Sequence, residues 1–145
     1  MSKEIRLKKG LTINLVGDAD KVYASLKPND SSHRYVVKPT DFHALVPKLN
    51  VKIGDKVKAG FPLFFDKSNA KINFCSPVSG EITDVLRGAK RRILEVVINA
   101  DAEIAYESFP ISSANDLSRE QIIDGMLKGG VWPFIRQKPY DIIAN

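Results

Sequence analysis

Residues 51–67, VKIGDKVKAGFPLFFDK, and residues 74–86, FCSPVSGEITDVL, decide how this chain folds. In the first stretch Gly54-Asp55 marks a turn, Val57 takes an inward position, Gly60 marks a second turn and Leu63 opens a strand. Glycine suits both turns because tight turns demand positive φ, which it adopts with no Cβ penalty. In the second stretch Ser76-Pro77-Val78-Ser79-Gly80 leads into the β-prone run from Glu81 to Leu86.

Together the two stretches match the frames V-x-x-G-D-x-V-x-x-G-x-x-L and S-P-x-x-G-x-I, and so resemble biotinyl and lipoyl carrier domains. The resemblance implies a barrel-sandwich hybrid. In lipoyl domains the modified lysine lies eight residues before the motif proline, and counting back from Pro77 reaches Asn69. The neighbouring lysines are Lys67 and Lys71, displaced by two residues, which on a strand keeps the face but leaves the turn tip. Neither has the Met-Lys or Asp-Lys-Ala context of a carrier lysine. The expectation is a carrier fold without its swinging arm; the alternative is a carrier domain modified on Lys67 or Lys71.

The 145 residues are about one domain's worth. Hydrophobic content of 43% and charged content of 27% are those of an ordinary globular chain. Lys+Arg exceed Asp+Glu by 22 to 17, a net charge of +5, which permits an acidic partner, a membrane surface or nucleic acid and requires none. A single cysteine, Cys75, rules out an internal disulfide and points to a reducing cytoplasm. The start, MSKEIRLKKG, lacks the apolar core of a secretory signal, and no apolar run approaches the ~18 residues of a transmembrane helix.

Three segments are expected. Residues 1–33 hold an N-terminal β segment, LTINLVGD at 11–18, and a polar loop, DKVYASLKPNDSSHR at 20–34. Residues 34–100 hold the barrel-sandwich hybrid, with β-prone runs at HRYVVKP, FPLFFD, KINFCS, GEITDVL and RRILEVVIN. Residues 101–145 are a helical segment, so the fold class is mainly β with C-terminal helices (α+β). Ser118 and Gln121 fit a capping box, Ile122, Ile123, Met126 and Leu127 form one apolar face, and Gly129-Gly130 supplies a left-handed stop. A second element opens near Pro133 and breaks at Lys138-Pro139. The apolar ending DIIAN carries no closing signal, and the expectation is that another domain follows it.

IRLKKGLTINLVG at 5–17, VVKPTDFHALVPKLNVKIGDKVKAGFPLFFDK at 36–67, SPVSGEITDVLRGAKRRILEVVI at 76–98 and GGVWPFIRQKPYDIIA at 129–144 resemble the NqrA family, in order and over nearly the whole chain. Members of that family are the A subunits of the bacterial Na⁺-translocating NADH:quinone oxidoreductase. The resemblance implies a protein on the cytoplasmic face of the inner membrane, peripheral to it. It would dock on the other subunits of a Na⁺-pumping, NADH-oxidising and ubiquinone-reducing translocase, the membrane-embedded B subunit above all. It also implies an association with quinone in the full-length protein, no flavin or iron–sulfur cluster of its own, and a fold related to RnfC. Those relatives carry a glycine-rich loop where this chain reads Gly129-Gly130 and then Trp132, Pro133 and Phe134, so FMN and NADH are not expected here. The chain by itself is expected to be non-catalytic.

Arg87, Lys90, Arg91 and Arg92 form the basic hairpin RGAKRR around Gly88-Ala89. It either docks on anionic headgroups or an acidic partner face, or is a solvated tip that guards a strand edge. A small basic nucleic-acid-binding module is the other alternative, but no aromatic interleaves the cluster as a stacking platform would require. Trp132, Phe134 and Tyr140 are candidates to line a quinone pocket, or else core where a helix meets a sheet. His33 and His43 with Asp41 do not make a tightly spaced ligand set, so no metal site is expected. Cys75, in an apolar strand beside Phe74, reads as a buried, inert thiol.

Overall fold

The computed structural model describes residues 16–17, 20–22, 33–109 and 116–144. Most of the strand expected at 11–18 and of the loop expected at 20–34 lies outside the described residues. The strands are β1 (Arg34–Val37), β2 (Pro47–Leu49), β3 (Lys56–Val57), β4 (Pro62–Asp66), β5 (Asn73–Cys75), β6 (Gly80–Arg87), β7 (Ile93–Ala100), β8 (Arg136–Gln137) and β9 (Ile142–Ile143), with one α-helix, α1 (Arg119–Lys128), among the described residues.

Two antiparallel sheets share one core. The first has the order β1-β7-β6-β3 and the second β2-β4-β5. The long β6–β7 ladder sets Ile82 opposite Ile98 and Val85 opposite Val96, with bulges between Ile82 and Asp84 and again between Leu86 and Arg87. The core holds Leu63, Phe64, Ile72, Phe74, Ile82, Val96 and Ile98, all nearly solvent-free. Phe64 stacks on Phe74 at 4.8 Å between centroids, and Phe42 meets Phe74 edge-on at 4.6 Å. Such pairs add about 0.5–1.5 kcal/mol to the burial of their area. Val57 and Leu63 are buried, as the turn-strand frame requires.

The Ser-Pro-Val-Ser-Gly segment joins the sheets by hydrogen bonds. Ser76 N–H donates to Phe61 O and Gly60 N–H donates to Ser76 O, each at 2.8 Å. The two buried serine hydroxyls are satisfied locally. Ser76 Oγ donates to Val78 O at 2.6 Å, and Ser79 Oγ accepts from Ala105 N–H at 2.9 Å. Each hydroxyl would cost about 1–3 kcal/mol if buried unpaired.

The helix signals in the sequence have direct counterparts. Ser118 Oγ accepts from Gln121 N–H at 3.3 Å, and Gln121 Oε1 accepts from Ser118 N–H at 2.8 Å. At the other end Gly130 N–H donates to Leu127 O and Val131 N–H donates to Met126 O, the paired bonds of a Schellman stop, with Gly130 at φ 71°. The apolar face is only half-covered: Ile122 is exposed, Ile123 and Met126 are half-buried, and Leu127 packs against the core. Past the helix, the element expected at Pro133 is a single 3₁₀ turn, Trp132–Phe134, and the chain then returns as the β8–β9 hairpin rather than a second helix. Lys138-Pro139 falls in the connection between those two short strands, where a donor-less residue interrupts no ladder. Ile143 of β9 is buried in the barrel core, and Ile104, Leu127 and Trp132 pack against it.

Gly130 is held tightly against β5: a Cβ there would lie 2.6 Å from Cys75 Sγ. Gly125, inside α1, has open space around it. Gly130→Ala should therefore cost about 2–4 kcal/mol, from left-handed backbone and overpacking together. Gly125→Ala should gain about 0.5–1 kcal/mol. Urea midpoints of the two variants should move in opposite directions from the parent; equal shifts would refute the packing account.

Candidate functional site

The basic hairpin stands at the far end of the β6–β7 ladder. Arg87 closes β6, residues 89–91 make a 3₁₀ turn, and Arg87, Lys90, Arg91 and Arg92 are all exposed. The turn does not use Gly88 in the way the sequence suggests. Gly88 has φ −99°, and it is Lys90 and Arg91 that take left-handed φ, at 55° and 61°. Arg92 N–H donates to Ala89 O at 3.2 Å, so two left-handed residues occupy the centre of the turn, as in the I′ hairpins that Asn-Gly usually fills. Gly88 serves a different purpose: a Cβ there would press to 3.0 Å from Leu94 Cδ1.

Three of the four basic residues converge. Arg87, Arg91 and Arg92 line an open groove of about 380 Å³ together with Leu45, Val46, Pro47 and Ile93. Arg87 Nη1 donates to Arg91 O at 3.3 Å, which fixes one guanidinium across the turn. Lys90 does not line the groove. The apolar wall is not readable from sequence, since the 45–47 segment and the hairpin are some forty residues apart in the chain.

The hairpin between β4 and β5 is where a carrier arm would stand. Asn69 takes the corresponding position, half-buried, and its Oδ1 accepts from Lys71 N–H at 3.2 Å. Its own N–H donates to Asp66 O, and its carbonyl accepts from Ile72 N–H at 3.0 Å. Asp66 braces the turn further, accepting from Ser68 N–H at 3.0 Å and Ser68 Oγ at 2.6 Å. Lys67 and Lys71 are exposed on either side of this braced turn. His43, Asp66 and Ser68 border one cleft of about 140 Å³, but the serine hydroxyl is spent on the aspartate, so the three do not form a nucleophilic relay.

The aromatic candidates do not converge. Trp132 is half-buried against the core and its Nε1 donates to Ala144 O at 2.8 Å. Phe134 is 71% exposed and meets Phe42 edge-on at 6.1 Å. Tyr140 is 75% exposed, on the β8–β9 connection. Phe134 borders a cavity of about 70 Å³ with Phe42, Phe74 and Cys75; small-molecule sites usually need about 300–1,000 Å³. Four amides after Gly129 are engaged internally, those of Gly130 and Val131 by the Schellman bonds and those of Phe134 and Ile135 to Val131 O and Trp132 O. A phosphate cradle needs such amides free. Among the described residues no group of three or more His, Cys, Asp or Glu could hold a metal, and no helix is long and apolar enough to cross a membrane.

Cys75, the last residue of β5, sits half-buried against the stop after α1, and burial raises its thiol from 9.0 to about 11. The thiolate fraction at pH 8 should be about a hundredfold below that of a free thiol. Reaction with a disulfide reagent at that pH should slow in proportion; a rate near that of free cysteine would show the site to be open. Since the folded value lies above the unfolded one, this contribution to stability is complete below pH 9.0 and declines as pH rises towards 11.

Three relatives share this sequence along nearly its whole length. The chain is 30% identical over 143 residues to the A subunit of the Na(+)-translocating NADH-quinone reductase of Pseudomonas aeruginosa (strain UCBPP-PA14), covering 97% of this chain and 32% of that protein. It is 33% identical over 138 residues to the protein of the same name from Vibrio vulnificus (strain YJ016), covering 94% and 30%. With that of Haemophilus influenzae (strain PittEE) it shares 33% over 143 residues, covering 97% and 31%. The chain thus spans about a third of the length of these curated relatives. Residues 5–101 match the family described as the NqrA N-terminal barrel-sandwich hybrid domain, and β1 to β7, with the two turn-strand frames at their centre, supply that architecture. The chain therefore belongs to the NqrA N-terminal barrel-sandwich hybrid family.

Proposed function

We propose that this chain is the N-terminal part of the A subunit of a Na⁺-translocating NADH:quinone oxidoreductase, where it works as a docking and scaffolding unit. The observation that carries this reading is the family match over residues 5–101, extended by relatives of that name along 94–97% of the chain. Its partners are the other subunits of the complex, the membrane-embedded B subunit foremost, and it sits peripherally on the cytoplasmic face of the membrane. The exposed basic hairpin is the docking element, because charges of one sign steer association while adding little to folding. Any quinone association belongs to the full-length protein. The absence of a covalent arm is supported by Asn69, whose side chain and backbone are both used in the turn. The absence of FMN and NADH binding is supported by the engaged amides after Gly129.

Co-purification of the full-length protein from solubilised membranes should recover a complex with NADH:quinone activity. A protein that elutes alone, with activity intact elsewhere, would sink the assignment. Material made alongside active lipoyl and biotin ligases should keep its unmodified mass, and an adduct on Lys67 or Lys71 would restore the carrier reading. Calorimetric titration with FMN or NADH should give only heats of dilution.

A further inference from the structure

The groove beside the basic hairpin pairs three guanidiniums with an aliphatic wall, and that pairing specifies a partner more closely than charge alone. We propose that it receives an extended peptide segment of a partner protein in which carboxylates flank an aliphatic side chain. This rests on the docking reading of the hairpin given above, though not on the identity of the complex.

Arginine, unlike lysine, presents a planar fork of donors that grips a carboxylate in two places. Arg87, Arg91 and Arg92 bring three such residues to the lining of the groove, and the hydrogen bond from Arg87 to the Arg91 carbonyl orders the first of them. A concave site lined by charges of one sign focuses its potential on whatever enters. The same lining includes Leu45, Val46 and Pro47, with Val46 54% exposed. An aliphatic side chain seated there would remove apolar surface from water that the fold itself leaves uncovered. The groove's open volume of about 380 Å³ takes side chains from a passing strand.

Other occupants fit less well. A membrane surface is flat and meets projecting residues, whereas here the apolar residues line a groove. Single-stranded nucleic acid stacks its bases on aromatics, and the lining has none. The backbone adds an independent observation: consecutive left-handed Lys90 and Arg91 are strained for non-glycine residues, and such strain gathers at binding elements. An Asn-Gly turn would relieve it but would remove Arg91 from the groove.

The test is a ¹⁵N NMR titration of the 145-residue chain with the peptide acetyl-Glu-Leu-Asp-Glu-amide. Shifts should concentrate at residues 45–47 and 87–93 and weaken with added salt. Arg87→Gln with Arg91→Gln should lower affinity about tenfold, as should a peptide with Gln and Asn in place of its acids or Gly in place of Leu. Lys90→Asn with Arg91→Gly should raise the melting temperature while weakening the peptide, which separates docking from folding. No shift at millimolar peptide, or equal shifts with the amide peptide, would overturn the proposal. So would binding to phosphatidylglycerol vesicles without peptide binding, since a membrane would then be the partner. If Arg87→Gln with Arg91→Gln abolishes assembly of the full-length protein while the peptide is silent, this inference fails and the docking reading stands. If the peptide binds but no quinone-reducing complex is recovered, the function reading fails and this one stands.

Discussion

Gly80 lies where three strands meet. It pairs with Val57 of β3 on one side and with Ala100 of β7 on the other. A Cβ at this position would overlap the Asn99 carbonyl oxygen and come within 2.8 Å of Ala100 Cα. Without a side chain, β6 can begin directly against the end of β7. That contact places Ser79 so that its carbonyl accepts from Asp101 N–H and its hydroxyl from Ala105 N–H, both at 2.9 Å. Two residues earlier, Pro77 directs the chain out of β5, and Ser76 links back to Phe61 and Gly60. The closure of the barrel passes through residues 76–80.

From that junction the β6–β7 ladder runs outward as a stiff arm. Its inner positions, Ile82, Val96 and Ile98, are sealed in the core, while its tip exposes Arg87, Lys90, Arg91 and Arg92. A well-packed stem can hold a tip in an unfavourable backbone conformation, because the cost at two residues is small beside the burial along the stem. The opposite hairpin, between β4 and β5, is built the other way. Its turn is satisfied by Asp66, Ser68 and Asn69 through side-chain bonds, which leaves it stable and chemically quiet.

The parts of this architecture that are legible in the sequence are those set by local rules. Gly54 and Gly60 both have positive φ, the capping box and the Schellman stop lie where Ser118, Gln121 and Gly130 place them, and the carrier frames give the sheets. The turn of the basic hairpin is not legible in this way. Glycine is the usual signal for left-handed backbone, and here the strain is carried by Lys90 and Arg91 while Gly88 makes room for Leu94. The second C-terminal element is obscured because two-residue strands carry no periodicity. The candidate site is half legible: its charges are contiguous in the chain, but its apolar wall comes from residues 45–47 and depends on long-range packing.

The family match stops at residue 101, yet the core does not. Ile143 is buried among the barrel residues, and Ile104, Leu127 and Trp132 pack against them. Tyr106 is bridged to Ala59, and Gly130 is pressed onto Cys75. The stretch matched by the barrel family is therefore shorter than the stretch that shares one core, although the relatives extend over both. An excision made after residue 101 would cut through a single cooperative body, and the barrel left behind would expose the face that its own downstream residues are shaped to cover.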